Sequence, residues 1–222
     1  MAKKLVPADP PGKKVMLIGA TSGIWKELYT FYVSQGCTVG ITGRRAEILE
    51  EMKVRRPDHT HIRVMDVQKL ESTKAFDELA EEMGGLDLMI FSAGVGTQNP
   101  ELKPEVEMEG VNTNVVGFAN LAIHAYDFFK RQGYGHIAVI SSLAGIRSLR
   151  QSPAYSATKR FQIHYTSCLA QKAHKENIPL WFTTIVPGFI RTDMLRYKYP
   201  LTISLEKGSA IIFNHIENKK RY

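Results

Sequence analysis

Cysteine is scarce in this chain. The two present among 222 residues, Cys37 and Cys168, form neither a metal nor a redox spacing. That shortage excludes a disulfide-stapled fold and points to a thiol-reducing, cytoplasmic setting. Long apolar runs are also missing. No stretch approaches the roughly 20 residues needed to cross a bilayer, and Met1–Gly12 has no apolar signal-peptide core. The expectation is a disordered tail over residues 1–12 and no membrane partner. The seven histidines are scattered, and the close pair His59 and His61 has no third ligand nearby, so no metal site is expected.

Negative charge is in deficit, leaving a formal net charge of +7 and a pI near 9.3. A basic balance admits a nucleic-acid partner. Yet the cations are spread along the chain in short clusters such as Lys3-Lys4, Lys13-Lys14, Arg55-Arg56 and Lys219-Lys220-Arg221, and no aromatic residues interleave with them as a stacking platform. A solvated basic surface with no nucleic-acid partner is the expectation.

What is present is an alternation of short apolar runs with amphipathic segments. Strands are expected at Val15–Ile18, Thr38–Thr42, His61–Met65, Leu86–Ser92, His136–Ser141 and Leu180–Val186. Helices are expected at Ile24–Ser34, Ala46–Lys53, Leu70–Met83, Val106–Arg131, Tyr155–His174 and Glu206–Lys219. With no repeat or linker, residues 13–222 read as one domain. Six strands joined by helical crossovers predict an α/β fold, a doubly wound parallel sheet of Rossmann type with helices on both faces. Ligands on such sheets bind at the carboxyl ends of the strands.

Those ends carry informative residues. After strand one, Gly19-Ala20-Thr21-Ser22-Gly23-Ile24 offers a tight turn whose backbone can approach a pyrophosphate, with the next helix presenting free N–H groups. An ordinary tight turn would have the same composition. After strand two, Gly43-Arg44-Arg45 lacks the acidic residue that binds NAD ribose hydroxyls. Two guanidiniums suit a 2′-phosphate instead, favouring NADP(H), unless they are a solvated pair opening a helix. Asp66-Val67 could flank an adenine ring, or Asp66 could cap a helix. Ser92-Ala93-Gly94 offers small residues after strand four.

The helix expected from residue 155 brings Tyr155 and Lys159 to one face. A free phenol has a pKa of about 10. A neighbouring cation favours the phenolate and makes such a group a usable general acid or base.

Gly19-x-x-x-Gly23-x, Asp66-Val67, Ala93-Gly94, Asn112-Thr113-Asn114, Ile140-Ser141-Ser142, Tyr155-x-x-x-Lys159 and Pro187-Gly188-x-x-x-Thr192 occur in the order seen in short-chain dehydrogenases/reductases. The chain resembles that family over residues 13–218. The resemblance implies hydride transfer between NADP(H) and a small-molecule carbonyl/alcohol substrate, with Tyr155 as general acid or base. Lys159 would lower the pKa of Tyr155 and bind the nicotinamide ribose, and Ser142, the second of its pair, would steady the substrate oxygen. Asn114 would hold a relay water, and Pro187, Gly188 and Thr192 would contact the nicotinamide end. Thr21, Ser22 and Ile24 would line the nucleotide with the two glycines. A homodimer or homotetramer built on the helices near 106–131 and 155–174 is also implied.

The chain departs from the family pattern in two places. Where the pattern has a third glycine stands Trp25, an overpacking that typically costs about 1–3 kcal/mol. Either the first helix shifts and cofactor still binds, or the indole enters the cleft and weakens binding, or binding is lost. The last outcome would leave a non-catalytic NADP-sensing or interaction protein on the same scaffold. Second, the sequence given stops at Lys219-Lys220-Arg221-Tyr222, where family members continue into another strand. The expectation is a sheet edge lacking its last strand, through truncation or with a partner subunit covering it.

Overall fold

Short apolar runs bounded by turns become strands, and segments with one apolar stripe become helices. The computed structural model describes residues 8, 10–19, 23–191 and 202–220, so most of the expected N-terminal tail lies outside the described residues. Strands β1 (Lys14–Ile18), β2 (Thr38–Gly43), β3 (Thr60–Val64), β4 (Leu88–Phe91), β5 (Gly135–Ile140) and β6 (Leu180–Ile185) alternate with helices. The helices are α1 (Ile24–Ser34), α2 (Ala46–Arg55), α3 (Ser72–Glu82), α4 (Pro104–Val111), α5 (Phe118–Gln132), α6 (Pro153–Lys175) and α7 (Leu205–Glu217). The strands form one parallel sheet in the order β3-β2-β1-β4-β5-β6, the doubly wound arrangement expected.

Period-two alternation sends side chains to both faces, and both faces are covered. Val15 and Leu17 join Leu28, Leu49 and Phe213 in the core beneath α1, α2 and α7. Met16 and Ile18 join Phe76, Phe118, Leu121 and Phe129 beneath α3, α5 and α6. The helical stretch expected over 106–131 runs unbroken from Pro104 to Gln132, but its hydrogen-bond period widens in the middle. One wide π turn, Asn112–Gly117, separates α4 from α5 and contains Asn114, the kind of insertion often found at functional sites.

Opposite the strand carboxyl ends, α7 is tied to the sheet by a buried ion pair. Lys13 Nζ lies 2.9 Å from Glu217 Oε1, and the two side chains are 3% and 1% exposed. The Tyr32 hydroxyl donates to the same carboxylate at 2.8 Å. Burial, then the charge of Glu217, pushes the Tyr32 phenol well above its usual range.

Candidate active site

Strand order reverses between β1 and β4, so the turns leaving their carboxyl ends diverge. They open a cleft of about 910 Å³ lined by most of the residues singled out from the sequence. Gly19, Gly23 and Ile24 come from the β1–α1 turn, Arg44 follows β2, and Asp66 and Val67 follow β3. Ala93 and Gly94 follow β4, and Pro187 and Gly188 follow β6. Thr21, Ser22 and Thr192 lie outside the described residues. Arg45 is not brought to the cleft; it stands at the N-cap of α2. Asp66 both lines the cleft and holds its own turn, its Oδ1 accepting from Gln68 N–H at 3.1 Å.

The β1 turn is built for close backbone approach. Gly19 sits at φ 90°, and a Cβ there would fall 2.4 Å from Ala93 Cα, so only glycine fits. The lining runs from Arg44, after β2 on one side of the reversal point, to Lys159 of α6 on the other, a donor set that fits a dinucleotide phosphate ester.

Trp25 does not line this cleft. It is 2% exposed and belongs to the core cluster shared by Leu28, Tyr29, Ile212 and Phe213, under α1 and α7. Its indole N–H is buried with no acceptor among the described residues, an omission that typically costs about 1–3 kcal/mol.

On the α6 side of the cleft, Pro153 starts the helix and places Tyr155 in its first turn. Ser142, extended at the end of β5, accepts from Ala144 N–H at 3.1 Å and hydrogen-bonds the Tyr155 phenol. Ser141 points elsewhere, donating to the Lys159 carbonyl at 2.8 Å. Burial raises the Tyr155 pKa, and the bond from Ser142 opposes the rise. The lowering expected from Lys159 is not what the cofactor-free geometry gives. Lys159 Nζ is 5.8 Å from the ring centroid of Tyr155 and donates instead to Ile140 O and Gln162 Oε1, both at 3.0 Å. Desolvation lowers the Lys159 amine to about 8, with no carboxylate bonded to it among the described residues.

Asn114, fully buried, is held on every side. Its Oδ1 accepts from Val95 N–H at 2.9 Å, and its Nδ2 donates to Val95 O at 2.8 Å and to Thr158 Oγ1 at 3.0 Å. Its backbone carbonyl accepts from Gln162 Nε2 at 3.0 Å. Gln162 thus bridges Asn114 and Lys159 directly. The sequence reading missed Gln162, although residues 155, 159 and 162 share a helical face and that spacing was a usable signal. It also missed Gly96, whose hypothetical Cβ would lie 2.7 Å from the Tyr155 ring. The cleft wall of Val95, Thr97, Gln98, Arg147, Leu149 and Phe189 carries no motif that could have revealed it.

With the geometry established, comparison with known proteins gives a consistent assignment. Residues 13–200 match the family model for short chain dehydrogenases. The chain is 30% identical over 216 residues to a farnesol dehydrogenase from Aedes aegypti, covering 90% of this chain and 84% of that protein. It is 29% identical over 190 residues to a 3-oxoacyl-(acyl-carrier-protein) reductase from Aquifex aeolicus, covering 82% and 76%. Among solved structures, a 3-ketoacyl-(acyl-carrier-protein) reductase from Brucella melitensis complexed with NADH superposes with a TM-score of 0.82 at 21% identity, over 90% of this chain and 89% of that one. A second, ElxO with NADP bound, gives 0.72 at 22% identity, over 83% and 77%.

Proposed function

This chain belongs to the short-chain dehydrogenase family of oxidoreductases, and from that premise we propose that it is an NADP(H)-dependent enzyme interconverting a carbonyl and an alcohol, with Tyr155 as the proton-transfer group. The observation that carries the reading is the convergence of Ser142, Tyr155 and Lys159 on one cleft with Arg44 also in its lining.

The nicotinamide cofactor would supply hydride at the carbonyl carbon, and Gly19, Gly23, Ile24, Asp66, Val67, Ala93, Gly94, Pro187 and Gly188 would line it, with Thr21, Ser22 and Thr192 added from the sequence. The Tyr155 hydroxyl gives its proton to the substrate oxygen as negative charge develops there. Ser142, already bonded to that phenol, donates to the same oxygen. Lys159 stabilises the resulting phenolate by its charge, held in place by Gln162, which accepts from its amine and donates to the Asn114 carbonyl; the phenolate then recovers its proton from solvent entering the cleft. Arg44, exposed at the rim of the cleft, grips the 2′-phosphate. Burial of Trp25 in the core, away from the cleft, supports this reading over the alternative of a non-catalytic protein on the same scaffold. A homodimer or homotetramer using the α4–α5 face is supported by the exposed apolar side chains Met108, Val116 and Ile123. Free Cys37 and Cys168 accord with a reducing, cytoplasmic setting.

Titration of NADPH and NADH followed by tryptophan fluorescence, with turnover measured on a carbonyl panel, tests this function. NADPH should bind more tightly, and Arg44→Glu should weaken it about 10- to 100-fold while sparing NADH. No binding of either cofactor at millimolar concentration contradicts the proposal.

A further inference from the structure

The segment between β4 and α4 is fixed by a cluster of hydrogen bonds outside the site described above. Asn99, 3% exposed, uses every polar atom of its side chain. Its Oδ1 accepts from Lys103 N–H at 2.9 Å, and its Nδ2 donates to Lys103 O at 2.9 Å and to Glu107 Oε1 at 2.7 Å. Its backbone N–H donates to Gln151 O at 2.7 Å. The second oxygen of Glu107 accepts from Ala154 N–H at 2.8 Å.

Ala154 lies in the first turn of α6, next to Tyr155, and the N-cap residue Ser152 makes no side-chain cap of its own. The missing cap is therefore provided by a carboxylate from α4, at the helix end whose dipole favours negative charge. The same loop touches the phenol directly: Gly96 has room only for hydrogen against the Tyr155 ring, where a Cβ would lie 2.7 Å from Cε2. Its end is held in a costly conformation, with Leu102 at φ 53°. Neighbouring interactions must over-determine such a backbone, and the bonds of Asn99 and Glu107 do so.

We infer that Asn99 and Glu107 form a positioning unit for the reaction: together they lock the cleft wall at residues 95–100 onto the first turn of α6 and so fix the angle at which Tyr155 meets its substrate. This rests on the proposed role of Tyr155. Neither side chain touches the reacting atoms.

The donor and acceptor pattern gives a test by exchange. In Glu107→Gln the amide cannot accept from both Ala154 N–H and Asn99 Nδ2, so one bond breaks. In Asn99→Asp two carboxylates face each other. In the double variant Asn99→Asp/Glu107→Gln, the amide introduced at position 107 donates to the carboxylate introduced at position 99 and accepts from Ala154 N–H. That restores the chain of bonds except the one to Lys103 O. Each single variant should lose kcat about 10- to 100-fold, as small misplacements of a reacting group do, with NADPH affinity little changed. Hydrogen exchange of peptides covering residues 151–158, measured on the cofactor-free protein, should quicken in both singles. The double variant should recover both readouts to within about threefold of wild type.

Singles with wild-type kcat and exchange overturn the inference, as does a double variant no better than the worse single. If the wild-type protein turns over no carbonyl, the proposed activity fails, and exchange alone decides the clamp: unchanged protection in Glu107→Gln then overturns it.

Discussion

Each end of the sheet buries a lysine beside a tyrosine, and the two pairs behave in opposite ways. At the amino ends of the strands, Lys13 has the carboxylate of Glu217 at 2.9 Å, and Tyr32 donates to that same carboxylate. All three groups are satisfied, and they bind α7 to the sheet. At the carboxyl ends, Lys159 is as deeply buried, but its partners among the described residues are neutral, Ile140 O and Gln162 Oε1. Its amine is pulled down to about 8, while Tyr155 lines the cleft with its hydroxyl beside Ser142. The same two residue types form a fastening where a counterion is present and the proposed proton-transfer site where none is found among the described residues. A buried cation without a carboxylate is costly to the fold, and such perturbed groups cluster at functional sites.

The contrast predicts opposite responses to substitution. Glu217→Gln strands the Lys13 ammonium in the interior and should cost about 3–5 kcal/mol in chemical denaturation, with activity per folded molecule unchanged. Lys159→Met removes an uncompensated charge and should abolish turnover while stabilising the fold by up to about 3 kcal/mol at pH 7. Because the folded value near 8 lies below the ordinary 10.5, the unfolded chain holds that proton more tightly. The penalty is therefore full below about pH 8 and disappears as pH rises towards 10.5, so the stability gap between Lys159→Met and wild type should close over that window. A Lys159→Met protein as destabilised as Glu217→Gln would erase the distinction between the two ends.

Smaller changes sharpen it. Tyr32→Phe should cost about 2 kcal/mol, the value of a hydrogen bond to a charged group, and leave turnover alone. Gln162→Met breaks the bridge between Asn114 and Lys159 and should lower kcat about tenfold with little effect on melting, the worth of one buried hydrogen bond. A loss confined to stability would reduce Gln162 to a packing residue.

The sheet and its helices were legible because they depend on local period and punctuation: Val15–Ile18 reads as a buried strand and Ile24–Ser34 as a helix whatever they later touch. The residues at the strand ends were legible for a related reason, since parallel topology alone sends Gly19, Asp66, Ala93 and Pro187 to one rim. What escaped depends on contacts distant in sequence. The destination of Trp25 is set by α7, which supplies Ile212 and Phe213 to the same cluster. The direction of the Tyr155 shift is set by burial, to which the loop containing Gly96 contributes, and the bond from Ser142 opposes it without reversing it. Arg44 and Arg45 are adjacent and chemically alike, and only the entry of the chain into α2 decides that the first alone reaches the cleft. The π turn at Asn112–Gly117 likewise has no sequence period of its own; it turns Asn114 towards Val95 and its carbonyl towards Gln162.

The role of Tyr155 is tested most directly by turnover of Tyr155→Phe with NADPH on a carbonyl that the wild-type protein reduces. Loss of the phenolic proton should lower kcat about 1,000-fold while NADPH affinity stays within about twofold, since the ring still packs against Gly96. A Tyr155→Phe protein that turns over at the wild-type rate would contradict the assignment.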